Sequence, residues 1–199
     1  APRLHFDHFL LELVKSQTQT TVLEDFSVKT VQQMPEYVQL TAKGDQRLTA
    51  RMVIGCDGAN SPTARQLARF TLHRKHHCAA VRAYYRNVAG VEAGMNEFFI
   101  LKNHLPGYFW LFPLRDGVVN IGFGMLSHHI SRQQLNLKKS LDEIVTRQPI
   151  LTPRFAEAEQ LGKTLGFGLP LGSRKPPISG HRFLLAGDAA SLIDPLQGH

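Results

Sequence analysis

The chain has 199 residues, 43% of them hydrophobic, which is enough for one core or two small ones. Its formal net charge is +7, yet Lys and Arg are scattered and never run together with aromatics, which argues against nucleic acid and for small anionic ligands. No apolar run approaches the roughly 18 residues of a membrane span, and Cys56 and Cys78 are too few for a disulfide framework, so the expectation is a cytoplasmic, reducing setting with at most peripheral membrane contact.

Taken in order, Phe6, Phe9, Leu10, Leu13 and Val14 recur at helical spacing and predict an amphipathic helix over 4–16 whose stripe is buried. His5 and His8 share a face of it but have no carboxylate cluster nearby, so no metal site is assigned. From Thr20 to Ile54 the period changes to two, predicting strands at 20–24, 26–33, 37–42 and 47–54, the last two joined by a Gly44-Asp45 turn. This reads as an antiparallel meander.

The run then passes through Gly55, Cys56, Asp57 and Gly58 to Ser61 and Pro62, a helix cap with proline at the first helical position, and a helix to about Leu67. A Gly-x-Asp-Gly loop at such a junction is by itself as good a turn as a site. His73, His76, His77 and Cys78 cluster in a polar linker with no common metal-ligand spacing and mark a domain boundary.

Beyond the linker Val81, Ala83 and Tyr85 alternate with Arg82, Tyr84 and Arg86, and further strands are predicted at 97–102, 108–114 and 118–125, with a hairpin at Arg115-Asp116-Gly117. Tyr108, Trp110 and Phe112 share one face of a strand, and Gly122 and Gly124 one face of the next. Two readings are open: an aromatic wall beside a floor without side chains, or a sheet core with glycine bulges. Ser131 and Gln134 fit a capping box before a striped helix of Leu137, Leu141, Ile144 and Val145 that ends near Arg147 and backs the sheet. A short helix is predicted near 152–160. Gly166 and Gly168 in LGFGLPLG repeat the glycine alternation and read as another strand of the same bare floor, after which Lys175-Pro176-Pro177 is a linker.

Arg182 to Ala186 is a short apolar strand ending on Gly187-Asp188, with Pro195 and Gly198 shaping the loop beyond. Glycine lets a ligand approach the backbone, and Asp188 can accept hydrogen bonds from a hydroxylated chain. An ordinary acidic turn has the same two residues.

The longer string decides between these. GDAASLIDPLQGH, from Gly187, resembles the GDAA-x3-DP-x2-G segment of FAD-dependent oxidoreductases of the glutathione-reductase type, and within them the chain is most similar to the geranylgeranyl reductase family. GCDGANS resembles the superfamily's GADG-x2-S, with Cys56 for alanine, and YFWLFPLRDGVVNIGFG resembles the family's Y-x-W-x-F-P-x(7 or 8)-G-x-G. Arg3, Phe6 and Asp7 resemble R-x2-[FL]-D, although Arg3 equally fits a helix-start charge. Aromatic hydroxylases carry a histidine where Ser191 stands, and flavin halogenases a W-x-W-x-I-P from which Tyr108 and Phe112 depart.

The resemblance implies an α/β fold with an α+β substrate domain: a partial FAD-binding, Rossmann-like domain over 1–75 and 178–199, and an antiparallel-sheet substrate domain over 76–177. It implies FAD contacts from Arg3, Asp57, Gly58, Gly187, Asp188, Pro195 and Gly198, and substrate contacts from Tyr108, Trp110, Phe112, Gly122 and Gly124. No metal is expected and no catalytic side chain is assigned. The implied activity is reduction of carbon–carbon double bonds in an isoprenoid or other apolar small molecule, with NAD(P)H or ferredoxin as electron donor. A flavin monooxygenase or halogenase on the same scaffold, or an inert fragment, are the alternatives. No G-x-G-x-x-G turn occurs in the chain, so the expectation is an internal piece of a longer protein that holds FAD weakly, if at all, and is inactive alone.

Overall fold

The computed structural model describes residues 3–194, apart from the side chain of Arg3. Helix α1 is Arg3–Gln17, at the expected place. Its stripe is not buried as expected: Phe6, Phe9, Leu10 and Val14 are all exposed. Periodicity names the apolar face of a helix; whether that face is covered depends on what lies across from it. The segment predicted as a strand at 20–24 is irregular and runs into a turn, where Asp25 has φ 59°.

The meander follows. Strands β1 (Val28–Gln33), β2 (Val38–Ala42) and β3 (Arg47–Ala50) form an antiparallel sheet in that order. Its inner positions are Val31, Val38 and Ala42. The predicted strand 47–54 is two strands in two sheets. β4 (Val53–Gly55) leaves the meander and pairs in parallel with β11 (Phe183–Leu185), which also pairs with β10 (Ser179–Gly180). The break falls at Arg51, whose carbonyl accepts from the Arg182 guanidinium at 2.9 Å, while Val53 N–H donates to the Arg182 carbonyl at 3.0 Å.

Helix α2 (Pro62–Gln66) sits on this parallel pair, packing Ala64 with Phe183, Leu185 and Ala190. It comes so close that a Cβ on Gly55 would stand 2.8 Å from the Thr63 side chain and 2.9 Å from Leu185, so only glycine fits there. Gln66 ties the helix to the meander by accepting from Val31 N–H at 2.8 Å and donating to the Lys29 carbonyl at 2.9 Å.

The third sheet is the largest. β5 (His77–Arg86), β6 (Glu97–Phe99), β7 (Tyr108–Pro113), β8 (Val119–Leu126) and β9 (Glu159–Pro170) lie in the order β6-β7-β8-β5-β9, all antiparallel. One face carries Val81, Ala83, Phe109, Leu111, Ile121, Phe123 and Met125. Against it packs α4 (Leu137–Arg147) through Leu141, Ile144 and Val145, the stripe read from the sequence. Each such side chain contributes about 1.5–3 kcal/mol on burial.

Two local expectations on this half are corrected. Ser131 and Gln134 do not cap α4. Ser131 lies inside a separate helix, α3 (Ser127–Gln133), and Gln134 is its left-handed end. The cap of α4 is Asn136, whose Oδ1 accepts from the N–H groups of Lys138 and Lys139 at 3.1 and 3.2 Å. The predicted helix at 152–160 is a single tight turn, Thr152–Phe155, and Glu159 already begins β9.

Candidate functional site

Parallel strands β4 and β11 end side by side, Gly55 opposite Leu185, so the loops that follow them meet. After β4, Asp57 turns its carboxylate onto α2: Oδ1 accepts from Ser61 Oγ and Oδ2 from Thr63 N–H at 3.0 Å. Ser61 Oγ in turn accepts from Ala64 N–H at 2.8 Å. Burial pushes the Asp57 carboxyl up, but the bonds from Ser61 and Thr63 outweigh it and hold the group below the ordinary carboxylate value. Asp57 therefore shapes the loop, and Gly58, with φ 76° and nothing within 4 Å of its Cβ position, leaves the backbone bare beside it.

After β11, Gly187 to Ala190 form one tight turn. Gly187 has φ 58° and open space at its Cβ position, and Asp188 is exposed. A small cleft of about 70 Å³ lies between the loops, lined by Asn60, Ser61, Arg65, Asp188 and Ala189 among others. The structure thus brings Asp57, Gly58, Gly187 and Asp188 into one region. Pro195, Gly198 and the side chain of Arg3 lie outside the described residues. Ser191, one residue past the turn, is 3% exposed, and its Oγ has no hydrogen-bond partner among the described residues.

The second region is the open face of the large sheet. The Asp116-Gly117 turn, with both residues at positive φ, fixes the β7–β8 register: Tyr108 opposite Gly124, Trp110 opposite Gly122, Phe112 opposite Asn120. The aromatic row and the glycine row therefore do lie side by side. The Gly122 floor is not bare, because the Trp110 indole lies over it and a Cβ there would collide with the ring. Trp110 Nε1 donates to Asn120 Oδ1 at 3.0 Å, which holds the ring down.

Phe98 of β6 extends the wall, its ring centroid 5.7 Å from Tyr108 and 5.2 Å from Phe112. On the other side Phe167 and Leu169 of β9 stand opposite Ala80 and Cys78 of β5. Gly166 and Gly168 are opposite Val81 and Ala79, on the other face of the sheet, so they are not part of this floor. Between the walls is a cavity of about 610 Å³, within the range that holds small ligands.

The cavity has a direction. At one end Cys78, Tyr108, Gly124 and Leu169 line it. Cys78 donates to the Met125 carbonyl at 3.0 Å, and burial pushes its thiol up to about 11, so it stays neutral. Burial, and then the nearby Cys78 and Asp194, raise the Tyr108 phenol. This end adjoins the Asp188 loop: beyond Pro170, Leu171 bridges Ile193, and Gly172 N–H donates to the Ile193 carbonyl at 2.8 Å. At the other end are Arg82, Tyr84 and Asn120.

Residues 77–166, which supply all of the cavity lining named above except Phe167 and Leu169, match the geranylgeranyl reductase catalytic domain. That segment belongs to the geranylgeranyl reductase family. A menaquinone reductase of Mycobacterium tuberculosis is 30% identical over 81% of the chain, and a digeranylgeranylglycerophospholipid reductase of Thermoplasma volcanium is 31% identical over 75% of it. The chain spans 40% and 36% of their respective lengths. In fold it is similar to a geranylgeranyl bacteriochlorophyll reductase-like protein of Thermoplasma acidophilum, with a TM-score of 0.78 and 24% identity over 99% of the chain and 49% of that protein. It is also similar to a flavin-dependent halogenase, with a TM-score of 0.75 and 24% identity over 98% of the chain and 36% of the halogenase. The motif read from the sequence, Tyr108 to Gly124, covers the aromatic wall and the glycine row, while Phe167 and Leu169 of the opposite wall lie outside it.

Sequence reasoning missed Cys78, Arg82, Asn120 and Phe167 as cavity residues, and Phe98 as the ring that packs behind the aromatic row. Alternation places Cys78 and Arg82 on one face of β5, but only the pairing with β8 shows that this face is the one bearing Gly122.

Proposed function

We propose that the chain forms the substrate-holding part of an FAD-dependent reductase that saturates isolated carbon–carbon double bonds in an isoprenoid chain. One observation carries the reading: the apolar, aromatic-walled cavity has one end, at Tyr108 and Leu169, that adjoins the Asp188 loop. A long hydrocarbon lying in it reaches that loop without needing a charged contact along its length. The names of the two curated relatives, both reductases and one of a digeranylgeranyl lipid, support it.

The loop residues fit a hydroxylated, anionic cofactor. Gly58 and Gly187 leave backbone accessible, Asp188 offers an exposed carboxylate, and Ser191 Oγ is a buried hydroxyl with no hydrogen bond among the described residues. Asp188, with the backbone of Gly187 and Gly58, would hold FAD. When bound, FAD supplies the hydride equivalent, drawn from NAD(P)H or ferredoxin.

The remaining work belongs to the walls. Tyr108, Trp110 and Phe112 bind the chain by its area, Phe167 and Leu169 close the opposite side, and together they exclude water from the double bond. No described helix is long and apolar enough to cross a bilayer.

The test is product mass. With FAD and a chemical reductant, the complete protein should return a prenyl substrate carrying two more hydrogens for each double bond reduced. An oxygenated or halogenated product would overturn this reading in favour of the alternatives.

A further inference from the structure

The basic residues are scattered along the chain, but its 16 acidic residues are not. Three stretches, 58–91, 117–141 and 160–187, contain no Asp or Glu at all. The fold brings a part of each together. Arg174 donates to the Thr71 carbonyl at 2.7 Å and lies 5.8 Å from the Phe70 ring, His76 Nδ1 and Ser173 Oγ are 2.9 Å apart, and Arg74 donates to Ser131 Oγ at 3.0 Å. These contacts tie the segment before β5 to the loop after β9 on one side and to α3 on the other. Arg74, Lys75, Arg132, Arg174 and Lys175 therefore share one surface, all exposed except the half-buried Arg174. Arg65 borders it, lining the small cleft with Phe70 and Leu72, a cleft whose lining holds one carboxylate, Asp188. Among the described residues none of these six cations makes an ion pair. Leu72, between Phe70 and Arg74, is 57% exposed.

We propose that this surface docks on an anionic membrane, with Arg74, Lys75, Arg132, Arg174 and Lys175 meeting the lipid head groups and Leu72 entering between them. The charges are complementary: each Lys or Arg close to an anionic bilayer raises partitioning about fivefold. An apolar side chain standing out among bases is the arrangement of an interfacial anchor, in which area and charge add. An acidic protein would be drawn by the same charges, but it would have no use for an exposed leucine in their midst. The position also fits. β5 leaves this surface at His77 and β9 returns to it at Pro170, so a bilayer docked here lies at the Cys78 and Leu169 end of the cavity. The docking does not depend on the activity proposed above, since neither a flavin nor turnover enters into it.

The test is sedimentation of the complete protein with vesicles of phosphatidylcholine alone and of phosphatidylcholine mixed with phosphatidylserine. Wild type should bind the mixed vesicles and leave the neutral ones. It should be released when salt rises from about 0.1 M to about 1 M, as the Debye length falls from about 10 Å to about 3 Å. Lys75→Glu/Lys175→Glu, at two exposed positions, should bind the mixed vesicles on the order of thirtyfold more weakly. Lys43→Glu/Lys163→Glu changes the net charge equally, in the β2–β3 turn and near the start of β9, and should stay within about threefold of wild type because charges beyond a Debye length are screened. Equal binding to neutral vesicles, or equal weakening in the two double variants, overturns the proposal. So does an absence of binding to mixed vesicles at about 0.1 M salt, which would leave the surface to an acidic protein. The lipid and salt dependence of wild type decides the matter even where a variant fails to fold.

Discussion

The indole of Trp110 occupies the space that a side chain at Gly122 would need, across the β7–β8 pair. Replacing Gly122 by alanine must therefore expel the ring or part the strands. Overpacking of this kind costs about 1–3 kcal/mol, or a fall in Tm of several degrees, at about 2–4 °C for each kcal/mol. The Trp110 emission should shift to the red as the ring meets water. Unchanged Tm and emission in Gly122→Ala would show that the ring does not rest there.

Asp57 predicts a pH signature. Its folded carboxyl titrates below the ordinary value, so its contribution is complete above about pH 3.9 and is lost as pH falls through the lower folded value. Asp57→Ala removes the acceptor for Ser61 Oγ and Thr63 N–H. The cost near neutral pH should be about 0.5–1 kcal/mol, the lower part of the range for caps because the carboxylate is exposed. Denaturation of both proteins across pH 2–7 checks it: a gap that stays constant over that range contradicts the assignment.

The parts legible in the sequence are those set by neighbours in the chain. The Asp116-Gly117 turn fixes a register, so the Tyr108 row and the Gly122 row were placed together; the Leu141, Ile144 and Val145 stripe likewise named the buried face of α4. The misplaced parts depend on pairing between distant segments. Gly166 and Gly168 alternate as Gly122 and Gly124 do, yet their pairing with Val81 and Ala79 puts them on the opposite face. Residues 47–54 read as one strand because nothing local announces that 53–55 will pair with 183–185. Arg82 reads in the sequence only as one member of an alternating strand, and its place in the cavity comes from the strands paired around it.

Arg154 holds the edge of the large sheet. Its guanidinium donates to both Glu97 carboxylate oxygens at 2.7 Å and to the Ala89 and Gly90 carbonyls at 2.8 Å. The hydrogen bond from Arg154 holds the Glu97 carboxyl below its ordinary value, against the opposing effect of burial. Lysine keeps the charge but cannot reproduce the fork. Arg154→Lys should therefore destabilise the fold by about 1–3 kcal/mol in chemical denaturation. A loss near zero would mean that charge alone suffices at this site.

The two thiols should differ in reactivity. Cys56 is exposed, whereas burial raises the Cys78 thiol to about 11 and its hydrogen goes to the Met125 carbonyl. At pH 7.5 a thiol reagent should modify Cys56 at least roughly tenfold faster than Cys78. Because Cys78 lines the cavity, a bound prenyl ligand should slow its modification further and leave Cys56 unaffected. Equal rates, or protection of both, would contradict the placement.

The central claim is that the face bounded by Tyr108, Trp110, Phe112, Phe167 and Leu169 holds an extended isoprenoid chain. Prenyl alcohols of increasing length, titrated against Trp110 fluorescence, test it most directly. A buried methylene contributes about 0.8 kcal/mol, so affinity should rise severalfold or more with each added isoprene unit until the cavity of about 610 Å³ is full, and then level off. Affinity that does not change with chain length would contradict the account.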